Sequence, residues 1–163
     1  MKTVRASLGA GALALTLVTA RAADITFPVG TVVSNHAGLY TVVIGDYKFS
    51  TASGLSINTF VDAWRHAGGL WVNAGAVKIE RADGQPFSID RFTVMERPGA
   101  GGSIGIGDFT LTAHPAGSSN SFAKVFLTDA NNHNYDTFLA FHSEPRFGNV
   151  TVAWLAEEFP FIL

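Results

Sequence analysis

Two groups of side chains in this chain have the chemistry for recognition. Trp64, Arg65 and Trp71 lie at the ends of a loop-like stretch that runs through His66-Ala67-Gly68-Gly69. An exposed indole can lie flat on the apolar face of a sugar ring while a neighbouring polar group reads its hydroxyls, so these three residues form the candidate ligand site. The second group is the oxygen-rich run 129–136, Asp-Ala-Asn-Asn-His-Asn-Tyr-Asp. Calcium gathers about six to eight oxygen ligands, and Asp129, Asn131 and Asp136 are the candidate donors. An EF-hand would need glycine at its sixth position and glutamate at its twelfth, where this chain has Asn134 and Ala140. The competing reading of the run is a hairpin whose Asp and Asn residues tolerate left-handed backbone angles.

Catalytic constellations are harder to find. Asp108, Asp129, Asp136, Glu144, Glu157 and Glu158 are available for glycoside hydrolysis, which sets two carboxyl groups about 5–10 Å apart across one sugar. No spacing brings two of them together, and adjacent Glu157 and Glu158 point to opposite faces of an extended chain, so a solvated surface is the plainer reading. The histidines, His36, His66, His114, His133 and His142, form neither a His-Glu-x-x-His nor a His-x-His pattern. Gly101-Gly102-Ser103-Ile104-Gly105 has the spacing of a nucleophile elbow. An elbow joins a strand to a helix, whereas Ile106, Phe109 and Leu111 continue as a strand, so a glycine-rich turn is the better reading. The sequence nominates no catalytic residue, and calcium is its one cofactor candidate.

Short β-strands must position these residues. Apolar or alternating runs occur at 25–28, 39–44, 47–50, 55–60, 70–72, 76–81, 87–96, 104–114, 121–128, 135–142 and 149–155. Val77-Lys78-Ile79-Glu80, Phe109-Thr110-Leu111-Thr112 and Val150-Thr151-Val152 alternate apolar and polar residues, the signature of a strand with one buried and one wet face. Turn chemistry separates the runs, at 82–84, 98–102, 116–120 and 131–134. Helical periodicity is weak, and Gly68-Gly69 stops the one candidate turn around Trp64. Trp154 sits in an apolar strand and is expected in the core. Many short strands at roughly 8–12-residue spacing indicate an all-β, antiparallel β-sandwich of jelly-roll type.

The start of the chain sets the compartment. Lys2 and Arg5 precede an uncharged apolar run, and Ala20-Arg21-Ala22 has the small-x-small form of a cleavage site. Residues 1–22 therefore read as a secretory signal peptide and residues 23–163 as a single β-sandwich domain, secreted or periplasmic. The remaining 141 residues carry eight basic and 13 acidic side chains, a net charge of −5. No basic run tracks phosphates, so nucleic acid and anionic membrane are poor partners. No second apolar run reaches the roughly 18 residues of a membrane span. The chain has no cysteine, which removes thiol chemistry and disulfide frameworks; a 47% hydrophobic composition leaves core packing to hold the domain.

Residues 75–92, Gly-Ala-Val-Lys-Ile-Glu-Arg-Ala-Asp-Gly-Gln-Pro-Phe-Ser-Ile-Asp-Arg-Phe, resemble a segment of secreted bacterial PEP-CTERM-type β-sandwich proteins. The likeness continues through the strands at 106–112, 121–128 and 138–141. It then takes in Gly148-Asn149-Val150-Thr151-Val152-Ala153-Trp154 and the closing Phe159-Pro160-Phe161-Ile162-Leu163, and so covers roughly 34–163. The sequence has no Pro-Glu-Pro, no C-terminal membrane segment and no basic tail, so the resemblance lends no support to sorting by that route. It implies a sandwich fold and an envelope or exopolysaccharide setting, and it supplies no catalytic residue. The resulting expectation is an exported, non-catalytic module that binds a glycan or an envelope polysaccharide. A polysaccharide hydrolase and a structural or adhesive surface protein are the alternatives.

Overall fold

The computed structural model describes residues 24–57, 69–73, 75–96, 108–128, 136–157 and 161–163. The leader at 1–22 lies outside them. The described part is all-β and antiparallel. Its strands are β1 (Ser34–His36), β2 (Leu39–Ile44), β3 (Tyr47–Thr51), β4 (Leu55–Ile57), β5 (Leu70–Val72) and β6 (Gly75–Arg81). They continue as β7 (Phe92–Glu96), β8 (Phe109–Pro115), β9 (Phe122–Phe126), β10 (Asp136–Phe138), β11 (Val150–Glu157) and β12 (Phe161–Ile162). Seven strands form one sheet in the order β1-β2-β3-β6-β11-β8-β9, and five form a second in the order β10-β7-β12-β5-β4.

Alternation decides which side chains of the large sheet meet the core. Val42, Phe49, Val77, Leu111, Ala113, Ala153 and Leu155 are buried. They stand opposite one another across the ladders: Val42 faces Phe49, Leu155 faces Val77 and Leu111, and Ala153 faces Ala113. Phenylalanine rings join this layer to the small sheet. Phe109 of β8 meets Phe161 of β12 edge-on at 5.2 Å. Phe126 of β9 meets Phe92 of β7 at 5.0 Å and Phe138 of β10 at 5.3 Å. Edge-on and tilted rings at these distances align the positive edge of one ring with the negative face of the next.

Three local features differ from the sequence expectation. Residues 25–28 form no strand; Phe27 instead packs on Phe49 at 4.9 Å, and Thr31 closes a turn by donating its N–H and its hydroxyl to the Pro28 carbonyl. The run 87–96 is broken. Phe87 makes an isolated bridge to Val150, Ile89 donates its N–H to the Phe147 carbonyl, and the strand proper begins at Phe92. After β10 the chain turns into a one-turn helix, α1 (Ala140–Ser143), and a 3-10 turn at Pro145–Gly148 that buries Phe147 against Phe122 at 4.8 Å.

Strand β11 holds the irregularity with the widest effect. The register against β8 jumps between Val150, opposite Pro115, and Val152, opposite His114. The extra residue, Thr151, is a bulge that inverts the alternation phase. Val150 is therefore buried, Val152 half-buried on the other face, and Ala153 buried again. The Thr151 hydroxyl donates to the His114 carbonyl at 3.4 Å.

The β1–β2 hairpin turns through Ala37 and Gly38, both with positive φ (51° and 84°). Such a two-residue turn favours Asn-Gly, and an alanine there carries the left-handed penalty. Ala37→Asn is expected to raise stability by about 1 kcal/mol in urea unfolding. Phe109 is fully buried at the junction of the sheets. Phe109→Ala is expected to lower stability by about 3–5 kcal/mol, read from the same midpoints.

Candidate functional site

The predicted ligand residues Trp64 and Arg65 lie outside the described residues, as do Asp129 and Asn131 of the calcium candidate. Trp71 is described: it is half-buried in β5 between the fully buried Leu70 and Val72, and so points away from the core, with Ser56 of β4 and Ile162 of β12 as its cross-strand partners. Asp136 is half-buried at the start of β10, opposite Val94. Among the described residues, no group of three or more His, Asp or Glu side chains is placed to hold a metal ion. The described residues thus bring none of the predicted site residues together.

They assemble a different constellation, on the outer face of the large sheet. Trp154, expected in the core, is half-buried and faces outward, because its neighbours Ala153 and Leu155 take the inner face. Its cross-strand partners are Lys78 of β6 and Thr112 of β8. The same transverse row continues from Lys78 to Ser50 of β3 and Thr41 of β2. On one side of this row run Lys48, Glu80, Val152 and His114. On the other side the outward positions are small: Ala76 faces Ala156.

That contrast in size produces a groove of about 440 Å³, within the range of about 300–1,000 Å³ typical of small-ligand clefts. Trp154 and Lys78 form one wall. The exposed Ser53 supplies a hydroxyl, Ser50 and Thr51 border the groove from buried positions, Gly75, Ala76 and Ala52 leave the space open, and Leu39 closes the far rim. Gly75 has a φ of +81°, a conformation that side chains rarely adopt, and a Cβ there would sit 3.8 Å from the Ser53 hydroxyl. The Thr51 and Ser53 hydroxyls share a hydrogen bond of 2.9 Å, and Ser53 N–H donates to Thr51 Oγ1 at 3.3 Å. The indole is braced from the opposite side by His114, whose ring meets it edge-on at 5.3 Å. The position of Trp154 was missed because Val152-Ala153-Trp154-Leu155-Ala156 is apolar on both faces, so alternation gives no signal there.

Charge around the groove is organised by Glu80. Its carboxylate takes Lys78 Nζ on Oε2 at 2.5 Å and Lys48 Nζ on Oε1 at 3.1 Å. The hydrogen bond from Lys78, with the one from Lys48, lowers its pKa below the ordinary carboxylate value against a smaller opposing effect of burial. Glu144 is likewise held down to about 2 by the Arg146 guanidinium, which donates Nε and Nη2 to its two oxygens at 2.8 Å each. Asp83 is held at about 2 by the Arg81 guanidinium, at 2.9 and 2.6 Å, and by the Gln85 N–H at 3.0 Å. A general acid needs a raised pKa, so these three carboxylates are poor proton donors at neutral pH. Glu157, read from sequence as a surface acid, is only 4% exposed at the end of β11.

No protein-family model, curated protein or solved structure matches this chain.

The Asp83 pair gives a signed pH prediction. Its folded pKa is depressed from 3.8 to about 2. Its contribution is therefore complete above the ordinary value and is lost as the pH falls through about 2. The stability gap between the wild type and Asp83→Asn is expected to be constant near neutrality, to narrow below pH 3.8 and to close near 2, measured by urea midpoints across that range.

Proposed function

We propose that the chain is an exported, non-catalytic module of β-sandwich type that binds carbohydrate, in the envelope or exopolysaccharide setting implied by its resemblance to PEP-CTERM-type proteins. The observation that carries this reading is the outward-facing Trp154, which shares one groove with Lys78 and the exposed Ser53. The indole offers an apolar platform for a pyranose ring, and the Ser53 hydroxyl donates to or accepts from its substituents. Trp71, which faces away from the core in β5, is a second aromatic candidate in the same reading, and Trp64 and Arg65 lie outside the described residues.

A structural or adhesive role is the second reading. It draws on β9, an edge strand among the described residues, where Val125 is outward-facing and the following Leu127 is 71% exposed. A glycan-array screen of residues 23–163, with and without calcium, decides between the two. Retention of defined glycans, weakened about tenfold or more by Trp154→Ala, is expected for the binding module. No retention of any glycan, or unchanged retention by Trp154→Ala, overturns it. Binding that requires calcium would bring the 129–136 run into the site.

A further inference from the structure

We infer that the Trp154 groove selects an anionic sugar, a uronate unit, over its neutral counterpart, and that Lys78 supplies the selection. The inference rests on the carbohydrate-binding reading of the groove. The whole chain carries more acid than base, 13 residues against 11, yet the described lining of the groove holds one cation, Lys78, and no carboxylate. Lys78 stands directly opposite Trp154 across the β6–β11 ladder. A sugar ring seated on the indole therefore lies next to the Lys78 side chain.

Glu80 does not cancel that cation. Two ammonium groups, of Lys48 and Lys78, share its single carboxylate. The cluster keeps one unit of positive charge. Glu80 and Lys48 lie in the neighbouring row of the sheet, away from the small residues that open the groove, so of the three only Lys78 borders it. A uronate carboxylate entering the groove meets the Lys78 ammonium while Lys48 continues to neutralise Glu80. Charge-assisted hydrogen bonds of this kind are roughly twice as strong as neutral ones, and they are screened by salt at an exposed site.

The test compares polygalacturonate with its methyl-esterified form, in which each anionic carboxylate becomes a neutral ester, by affinity electrophoresis or calorimetry on the 23–163 protein. Polygalacturonate is expected to bind about tenfold more tightly at low salt, with the difference narrowing as salt is added. Lys78→Gln should remove the preference, bringing the two polymers to equal affinity. Lys78→Arg should retain the preference. Lys124→Gln, the same change of charge on β9 and outside the groove, should leave it intact. Circular dichroism and thermal midpoints check that each variant is folded, and Lys48 still pairs with Glu80 when Lys78 is changed. Equal binding of the two polymers, or a preference that survives Lys78→Gln or falls equally in Lys124→Gln, overturns the uronate inference and leaves the carbohydrate reading standing. Binding of neither polymer, together with an empty glycan array, removes both.

Discussion

The contact of phenylalanine rings between the two sheets is the constraint on which the other features depend. With no cysteine in the chain, no covalent tie holds the layers. Phe109 against Phe161, and Phe126 against Phe92 and Phe138, supply the described ring contacts that cross from one sheet to the other. Burying rings of this size removes a large apolar area from water, and close packing adds dispersion over many atom pairs. The demand is strict: each strand of the large sheet must offer its bulky apolar residues to one face. The opposite face is then free to carry other chemistry.

Strand β11 shows how that freedom is used. It lies between β6 and β8, with its backbone paired on both sides. Its residues are nearly all apolar, so hydrophobicity alone leaves its phase open. The bulge at Thr151 fixes the phase, placing Val150, which is bridged to Phe87, in the core and then Ala153 and Leu155 inward. Trp154 is left on the outside by that arithmetic. A strand without the bulge would carry either Val150 or the Ala153–Leu155 pair to the wrong face. The same irregularity that completes the core therefore exposes the indole.

The strands most legible in the sequence were those whose wet face is polar. In β6, Lys78 and Glu80 alternate with Val77 and Ile79; in β8, Thr110 and Thr112 alternate with Phe109 and Leu111. Period-two reading finds both because each carries one polar face. Ser34-Asn35-His36 gave no apolar signal, since all three residues of β1 are exposed; it is a strand because the Ala37-Gly38 turn folds it onto β2. Four residues at Ala140–Ser143 are too few to show a 3.6-residue period. The groove was illegible for a different reason. Its residues come from β2, β3, the turn after it, β6 and β11, and only the pairing register brings Trp154 beside Lys78 and Lys78 beside Ser50. Single-sequence reading ranks aromatic residues by their local neighbours, so it favoured the tryptophans beside a loop over one inside an apolar strand.

The placement of the groove also bears on the cost of using it. Binding a ligand loses free energy wherever flexible groups must be ordered, at about 0.5–1.5 kcal/mol for each rotamer-rich side chain. Trp154 has two side-chain torsions and a backbone held in ladders on both sides, and His114 already rests against its ring. The hydroxyls of Thr51 and Ser53 are oriented by their mutual hydrogen bond. Trp154 and the Thr51–Ser53 pair are thus pre-positioned by contacts that belong to the fold itself. The register of the paired sheet, which decides the side chains that stand side by side, sets the shape of the groove.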